Sequence, residues 1–347
     1  MLSNETFDRA FLQRLKDELN HKPFIPPRLL SPGDLQTLAA YFWPGRFRAR
    51  DLSADEDRLF EVEPATQVLG RCRWQPDRKN HPTLLIWHGI EGSSNSPYML
   101  STAAKAFRAG FNVVRMNIRT CGGTEHLSPT VYHGGMSNDV RAVATELIER
   151  DQLPALFLVG FSLGGNMVLK MAGEFGDELP AQIAGVGAIS PSVNLGATCD
   201  LLMKPRNWIY HRQFLFSLKR RIREKTKLDP DQYDARPLPQ IHSMREFDSV
   251  YVAPAFGFKD VDDYYTRASA LPHVAQIRVP TLIVHAQDDP FVPFASLSEA
   301  SVTGNPQVLL LAPEHGGHVA FLSAESTEED RFWAENRLID FLRGLGL

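Results

Sequence analysis

Several short runs of this chain are apolar almost throughout: Leu84 to His88, Phe111 to Asn117, Ala155 to Gly160, Ile183 to Ile189, Thr281 to His285 and Val308 to Leu311. A strand with one wet face alternates polar and apolar residues, whereas a strand without alternation needs cover on both faces. Helical patterns fall between several of these runs, at Tyr98 to Arg108, at Asn138 to Arg150 and directly after Ser162. Strand and helix in alternation predict an α/β fold, a mostly parallel central sheet flanked by helices. At 347 residues the chain is long for one simple domain and fits an α/β domain with an insertion.

Two departures mark that organisation. Ahead of the sheet pattern, residues 1–45 read as an amphipathic start followed by a proline-rich arm, with a short helix around Leu35 to Leu38 that stops before Pro44. Its Phe24, Tyr41, Phe42 and Trp43 are expected to pack on the core; the alternative is an exposed lipid contact. Residues 46–76 hold two alternating runs, Arg58 to Val62 and Thr66 to Trp74, which read as half-exposed antiparallel strands. Between about 196 and 271 the alternation stops for longer than a loop permits. This aromatic-rich interval is expected to be a helical cap, which splits the core into residues 46–195 and 272–347. Within it His211 to Lys227 is rich in Arg and Lys, read as a solvated helix face, with an anionic partner as the alternative. A last helix, about Glu328 to Leu345, carries an apolar side for packing on the sheet.

The run Leu156 to Gly160 leads into Phe161-Ser162-Leu163-Gly164-Gly165. In G-x-S-x-G between a strand and a helix, the serine occupies a sharp, strained turn, and the glycines two residues to either side remove side chains that would collide. The helix that follows offers free N–H groups and the positive end of its dipole. Ser162 is therefore the candidate nucleophile.

A hydroxyl needs a neighbouring base, and the base an orienting carboxylate. After a nucleophile elbow the chain order is serine, acid, histidine. Asp288 and Asp289 directly follow the Thr281 to His285 run. Ala286 stands where a G-x-x-D turn would have glycine, which favours Asp289 over Asp288 as the acid. Pro313-Glu314-His315-Gly316-Gly317-His318 follows the last strand, and His318, after the glycine pair, is favoured over His315 as the base. The loop His88-Gly89-Ile90-Glu91-Gly92 follows another strand and supplies a candidate oxyanion donor, the Ile90 N–H, alongside that of Leu163. His88 is read as shaping that loop.

Other chemistries lack a signature. The net charge of -4 argues against general nucleic-acid binding. His81, His88, His126 and His133 lack metal-ligand spacing, and neither a dinucleotide fingerprint nor a P-loop is present, so no metal or cofactor is expected. Cys72, Cys121 and Cys199 are too far apart to read as a disulfide framework and suit a reducing compartment. No apolar run approaches membrane-spanning length and Met1 to Asn20 has no signal-peptide core, which gives a cytoplasmic expectation with peripheral membrane contact left open.

Longer stretches carry a resemblance. His88-Gly89-Ile90-Glu91-Gly92-Ser93-Ser94-Asn95-Ser96-Pro97-Tyr98, Asn117-x-Arg119-x-Cys121-x-Gly123, Tyr132-His133-x-Gly135, the Ser162 motif, Asp288-Asp289-Pro290 and Gly316-Gly317-His318 occur in order. Together they make the chain resemble the α/β-hydrolase superfamily, in the branch of YheT-like esterases and ABHD-type lipases. The resemblance covers roughly residues 20–345. It implies a serine hydrolase of carboxylic esters, with short- to medium-chain acyl groups and a triad of Ser162, Asp289 and His318. An acyltransferase, a phospholipid or monoacylglycerol lipase and a non-catalytic binding protein are the rival readings. Thr120 departs from the pattern, since the branch has glycine between the arginine and the cysteine.

Overall fold

The computed structural model describes residues 9–43, 56–325 and 329–346. The expected boundary between arm and core at 45/46 and the expected start of the last helix at Glu328 lie outside the described residues. The strands are β1 (Glu56–Glu63), β2 (Thr66–Arg73), β3 (Thr83–Trp87), β4 (Asn112–Met116), β5 (Leu156–Phe161), β6 (Ile183–Ile189), β7 (Thr281–Val284) and β8 (Val308–Leu311). They form one sheet in the order β1-β2-β4-β3-β5-β6-β7-β8. β1 and β2 form an antiparallel hairpin, β2 pairs antiparallel with β4, and all remaining pairs are parallel.

Every residue of β3, β4 and β5 is buried. Successive side chains point to opposite faces. Leu85, Trp87, Val114 and Leu158 join one apolar cluster, while Leu84, Ile86, Val113 and Val159 join the other. Burying each such side chain contributes about 1.5–3 kcal/mol, which is why these runs tolerate almost no polar residue. β2, at the sheet's margin, keeps the half-wet alternation read from its sequence.

The helices are α1 (Arg9–Asn20), α2 (Gly33–Phe42), α3 (Pro97–Arg108), α4 (Ser137–Glu149), α5 (Leu163–Phe175), α6 (Leu195–Leu202), α7 (Trp208–Leu228), α8 (Met244–Phe247), α9 (Val261–Ala268), α10 (Ala300–Thr303) and α11 (Trp333–Gly344). α4 and α5 cover the first cluster, whereas α1, α3 and α11 cover the second. α6 to α9 all lie between β6 and β7, where a simple crossover would have one helix. Local signals start several of them: Pro97 opens α3, the Asn194 side chain caps α6, and Asp260 caps α9 by accepting from Asp262 and Asp263 N–H.

The N-terminal segment docks through Phe24, as its aromatics imply, and through aliphatic and polar residues rather than Tyr41 and Phe42. Leu12, Leu15 and Leu19 are buried with α11, and the Phe24 ring lies 5.6 Å from that of Trp333. Gln36 is fully buried, donating to Leu30 and Leu322 carbonyls and accepting from the Leu322 N–H. Tyr41 and Phe42, by contrast, are 68% and 74% exposed. Among the described residues no helix is long and apolar enough to cross a membrane. Replacing Leu15 with alanine removes a buried contact to Gly344 and should destabilise the protein by about 2–4 kcal/mol in urea unfolding; a change under about 0.5 kcal/mol would show that α1 does not share the core's stability.

Candidate active site

β5 ends in the Ser162 turn. Ser162 has φ 52 and ψ -115, a strained left-handed conformation, and its N–H donates to Ile189 O at 2.9 Å. The glycines around it have no room for a side chain. A Cβ on Gly160 would sit 2.1 Å from Gly164 O, and one on Gly164 would sit 2.5 Å from both Trp87 O and His88 O. The close approach of β5, α5 and the end of β3 is thus what the glycines permit.

Leu163 opens α5, so its N–H has no acceptor within the helix. Across from it, the loop after β3 spends the N–H groups on either side of Ile90. Gly89 N–H donates to Tyr98 Oη at 3.0 Å and Glu91 N–H to Tyr132 Oη at 3.2 Å. The Ile90 N–H between them meets no acceptor among the described residues. His88 is fully buried beneath the loop; its Nδ1 bonds Gly89 O at 2.7 Å and its Nε2 accepts from the Ile118 N–H at 3.0 Å. That pairing needs the neutral ring, and burial pushes its pKa down to about 4. His88 therefore braces the loop.

The two Asp–His candidates separate into two pairs. His318 Nδ1 lies 2.8 Å from Asp289 Oδ2, while Asp289 Oδ1 accepts from Phe291 and Val292 N–H at 2.8 and 3.0 Å. Burial would raise the Asp289 pKa, but the charge and hydrogen bond of His318 outweigh it, and the carboxyl sits below its usual value. Asp288 instead bonds His315 Nδ1 at 3.1 Å and the Gly317 N–H at 3.0 Å, and His315 is exposed. Ser162, His318, Ile90 and Leu163 line a single pocket; Asp288 and His315 do not.

Several contributors were not singled out from sequence. The Phe291 ring lies 4.6 Å from His318 and 4.6 Å from Tyr210 of α7. Thr37 Oγ1, on α2, accepts the backbone N–H of His318 at 2.9 Å. Arg221, from the basic run of α7, is buried and donates from Nε to Glu91 at 3.0 Å, and Tyr132 donates to the same carboxylate at 2.8 Å. Lys225, one turn on, is buried against Ser128 O at 2.6 Å, whereas Arg220, Arg223 and Lys227 are exposed. The basic run is thus a solvated face only in part. The Arg-x-Cys stretch is a brace: Arg119 grips Asp139 at 2.7 Å and also reaches Glu63. Thr120 there has φ 59, the region that favours glycine, which marks a strained position in this chain.

The descriptions of known proteins agree with this architecture. Residues 82–325 match the alpha/beta hydrolase fold, and the chain belongs to that family. YheT of Escherichia coli (strain K12), assigned as an esterase, is 31% identical over 322 residues, which is 92% of each chain. Phospholipase ABHD3 of Homo sapiens is 28% identical across 75% of this chain, and monoacylglycerol lipase of Saccharomyces cerevisiae is 29% identical across 76%. The chain spans 64% and 59% of the lengths of those two. The Pyrococcus furiosus esterase Pf2001 superposes with a TM-score of 0.56 over 93% of this chain and 97% of its own at 17% identity, a likeness of fold.

The buried His88 and the half-buried His133 give the site an acid limit. Burial lowers the pKa of His88 to about 4 and that of His133 to about 3, against 6.5 for an unperturbed ring. Below 6.5 the unfolded chain takes up protons that the folded rings refuse. Stability is thus complete above about pH 6.5 and is lost as pH falls toward 4. Urea unfolding across that window should show His88→Gln and His133→Asn each lowering the pH slope by up to about one proton; an unchanged slope would place the acid sensitivity elsewhere.

Proposed function

We propose that this protein is a serine hydrolase of carboxylic esters with short- to medium-chain acyl groups, acting through Ser162, Asp289 and His318. The observation that carries the reading is the Asp289–His318 pair facing the strained Ser162 turn across one pocket. Ser162 Oγ attacks the ester carbonyl carbon while His318 Nε2 takes its proton. The tetrahedral oxyanion receives the Ile90 and Leu163 N–H groups; losing one such donor costs about 3 kcal/mol. The C–O bond to the alcohol breaks and His318 returns the proton to the departing oxygen. Water then attacks the acyl-enzyme with His318 again as base, releasing the acid and restoring Ser162. Asp289 orients the ring and stabilises its cationic form.

In this reading residues 196–271 are a cap over a core of 46–195 and 272–347, and 1–45 are an arm. α6 and α7 supply much of the apolar wall, through Leu195, Leu202, Phe214 and Leu218, where an acyl chain would lie. The three cysteines are buried and free, which suits a cytoplasmic location. A second reading, a lipase working on aggregated substrate, is favoured by one surface. Leu35, Leu38, Tyr41 and Phe42 of α2 and Trp208 and Ile209 of α7 are exposed, and Arg206, in the turn just before α7, pairs with Asp34 of α2 at 3.0 Å.

A fluorophosphonate probe should label the wild type and not Ser162→Ala, and p-nitrophenyl ester turnover should fall by about 10³-fold or more in that variant. His318→Ala should lose a similar amount, and Asp288→Asn should keep activity within about threefold while Asp289→Asn does not. A folded wild type that neither labels nor turns over any ester would remove the hydrolase reading. A steep rise in rate above the substrate's micellar concentration would select the lipase form of it.

A further inference from the structure

The pocket beside Ser162 is mostly apolar, yet its wall holds polar groups that the proposed reaction does not use. Asp248 lies on a π-helical turn, Asp248–Val252, a distortion that often marks a functional position. Its Oδ2 is 2.7 Å from Tyr265 Oη, and among the described residues no other hydrogen bond reaches this carboxyl group. Tyr265 Oη is also 3.1 Å from Cys199 Sγ. Beside Cys199 on α6, the Thr198 hydroxyl is buried on the same wall with no hydrogen-bond partner among the described residues. The buried Thr198 hydroxyl is costly unless something completes it, and the half-buried Asp248 carboxyl offers an accepting oxygen on the same wall.

We propose that Asp248, Tyr265 and Thr198 form a subsite that binds a hydroxyl group carried by the ester substrate, which rests on the ester-hydrolase reading. The neighbouring charges favour a neutral group: Arg221, which lines the same pocket, is already paired with Glu91, and Asp248 disfavours an anion. A hydroxyl both donates and accepts, so it pairs with a carboxyl in either protonation state and with a threonine hydroxyl. That versatility matters here. Protein around the Asp248 carboxyl desolvates it and pushes its pKa up to about 7, against the opposing hydrogen bond from Tyr265 and charge of Arg245. Both forms are therefore present near neutrality, and a plain methylene chain satisfies neither.

The test begins with binding, which needs no turnover. Isothermal titration of the wild type should give octanediol roughly five- to tenfold tighter affinity than octanol, and Asp248→Leu should bring the two together. Thr198→Val and Tyr265→Phe, smaller changes, should each narrow the gap if the leucine variant fails to fold. Two ester pairs then locate the hydroxyl. A kcat/KM preference for p-nitrophenyl ω-hydroxyoctanoate over the octanoate places it on the acyl chain; a preference for ethylene glycol mono-octanoate over ethyl octanoate places it on the alcohol. Equal binding of the two alcohols by the wild type, a gap that survives in all three variants, or tighter binding of octylammonium than of octanediol would overturn the subsite. An Asp248-dependent preference for octanediol in a protein that cleaves no ester would keep the subsite and remove the hydrolase reading.

Discussion

The backbone turn at Ser162 is the constraint to which the rest of the molecule is fitted. It holds a non-glycine residue at φ 52 because three hydrogen bonds fix it from different elements: Ser162 N–H to Ile189 O, and Asn166 and Ser192 N–H to Ser162 O. The neighbouring loops share the strain. Glu91, Thr120, Ser190, Val319 and Phe321 also have positive φ, on the segments that follow β3, β4, β6 and β8. Each such residue costs on the order of 1–3 kcal/mol. The cost is borne by strands buried on both faces, whose regular pairing leaves their carboxyl ends little freedom to relax.

The pocket is held from three sides by chain segments distant in sequence. The loop carrying Ile90 is pinned from below by His88 and from the α7 side by the Arg221–Glu91 ion pair, to which Tyr132 adds a hydrogen bond. A buried pair of this kind adds little net stability, but breaking one partner leaves an uncompensated charge. It therefore serves better as a register device between α7 and the loop than as a source of stability. The histidine side is tied in by Thr37 and by Phe291, which in turn meets Tyr210 of α7.

Much of this was legible in the sequence, for identifiable reasons. Strands buried on both faces cannot alternate, so their runs declare themselves. The Ser162 turn is visible because its geometry excludes Cβ atoms at Gly160 and Gly164, and glycine there is a steric necessity. The choice between Asp288 and Asp289 was harder, because adjacent aspartates differ only in how the turn aims them. The Phe291 and Val292 N–H groups make that decision by holding one oxygen of Asp289 so that the other meets His318. Arg221 was hidden in a run of like charges, although its spacing from Leu218 before it and from Ile222 and Lys225 after it follows the buried side of α7. Thr37 gives no local signal at all, since its partner lies 281 residues away.

That separation bears on how the molecule is made. α1 and α2 are made before the elements that seat them, α11 and the loop after β8. Until residues beyond about 340 are free, Leu12, Leu15 and Leu19 have no core to enter, and the His318 loop lacks its brace from Thr37. Such long-range closure is slow. The leucine face of α1 is thus exposed until α11 has been made, and of the two apolar layers the one built on α1 and α11 is the later to close.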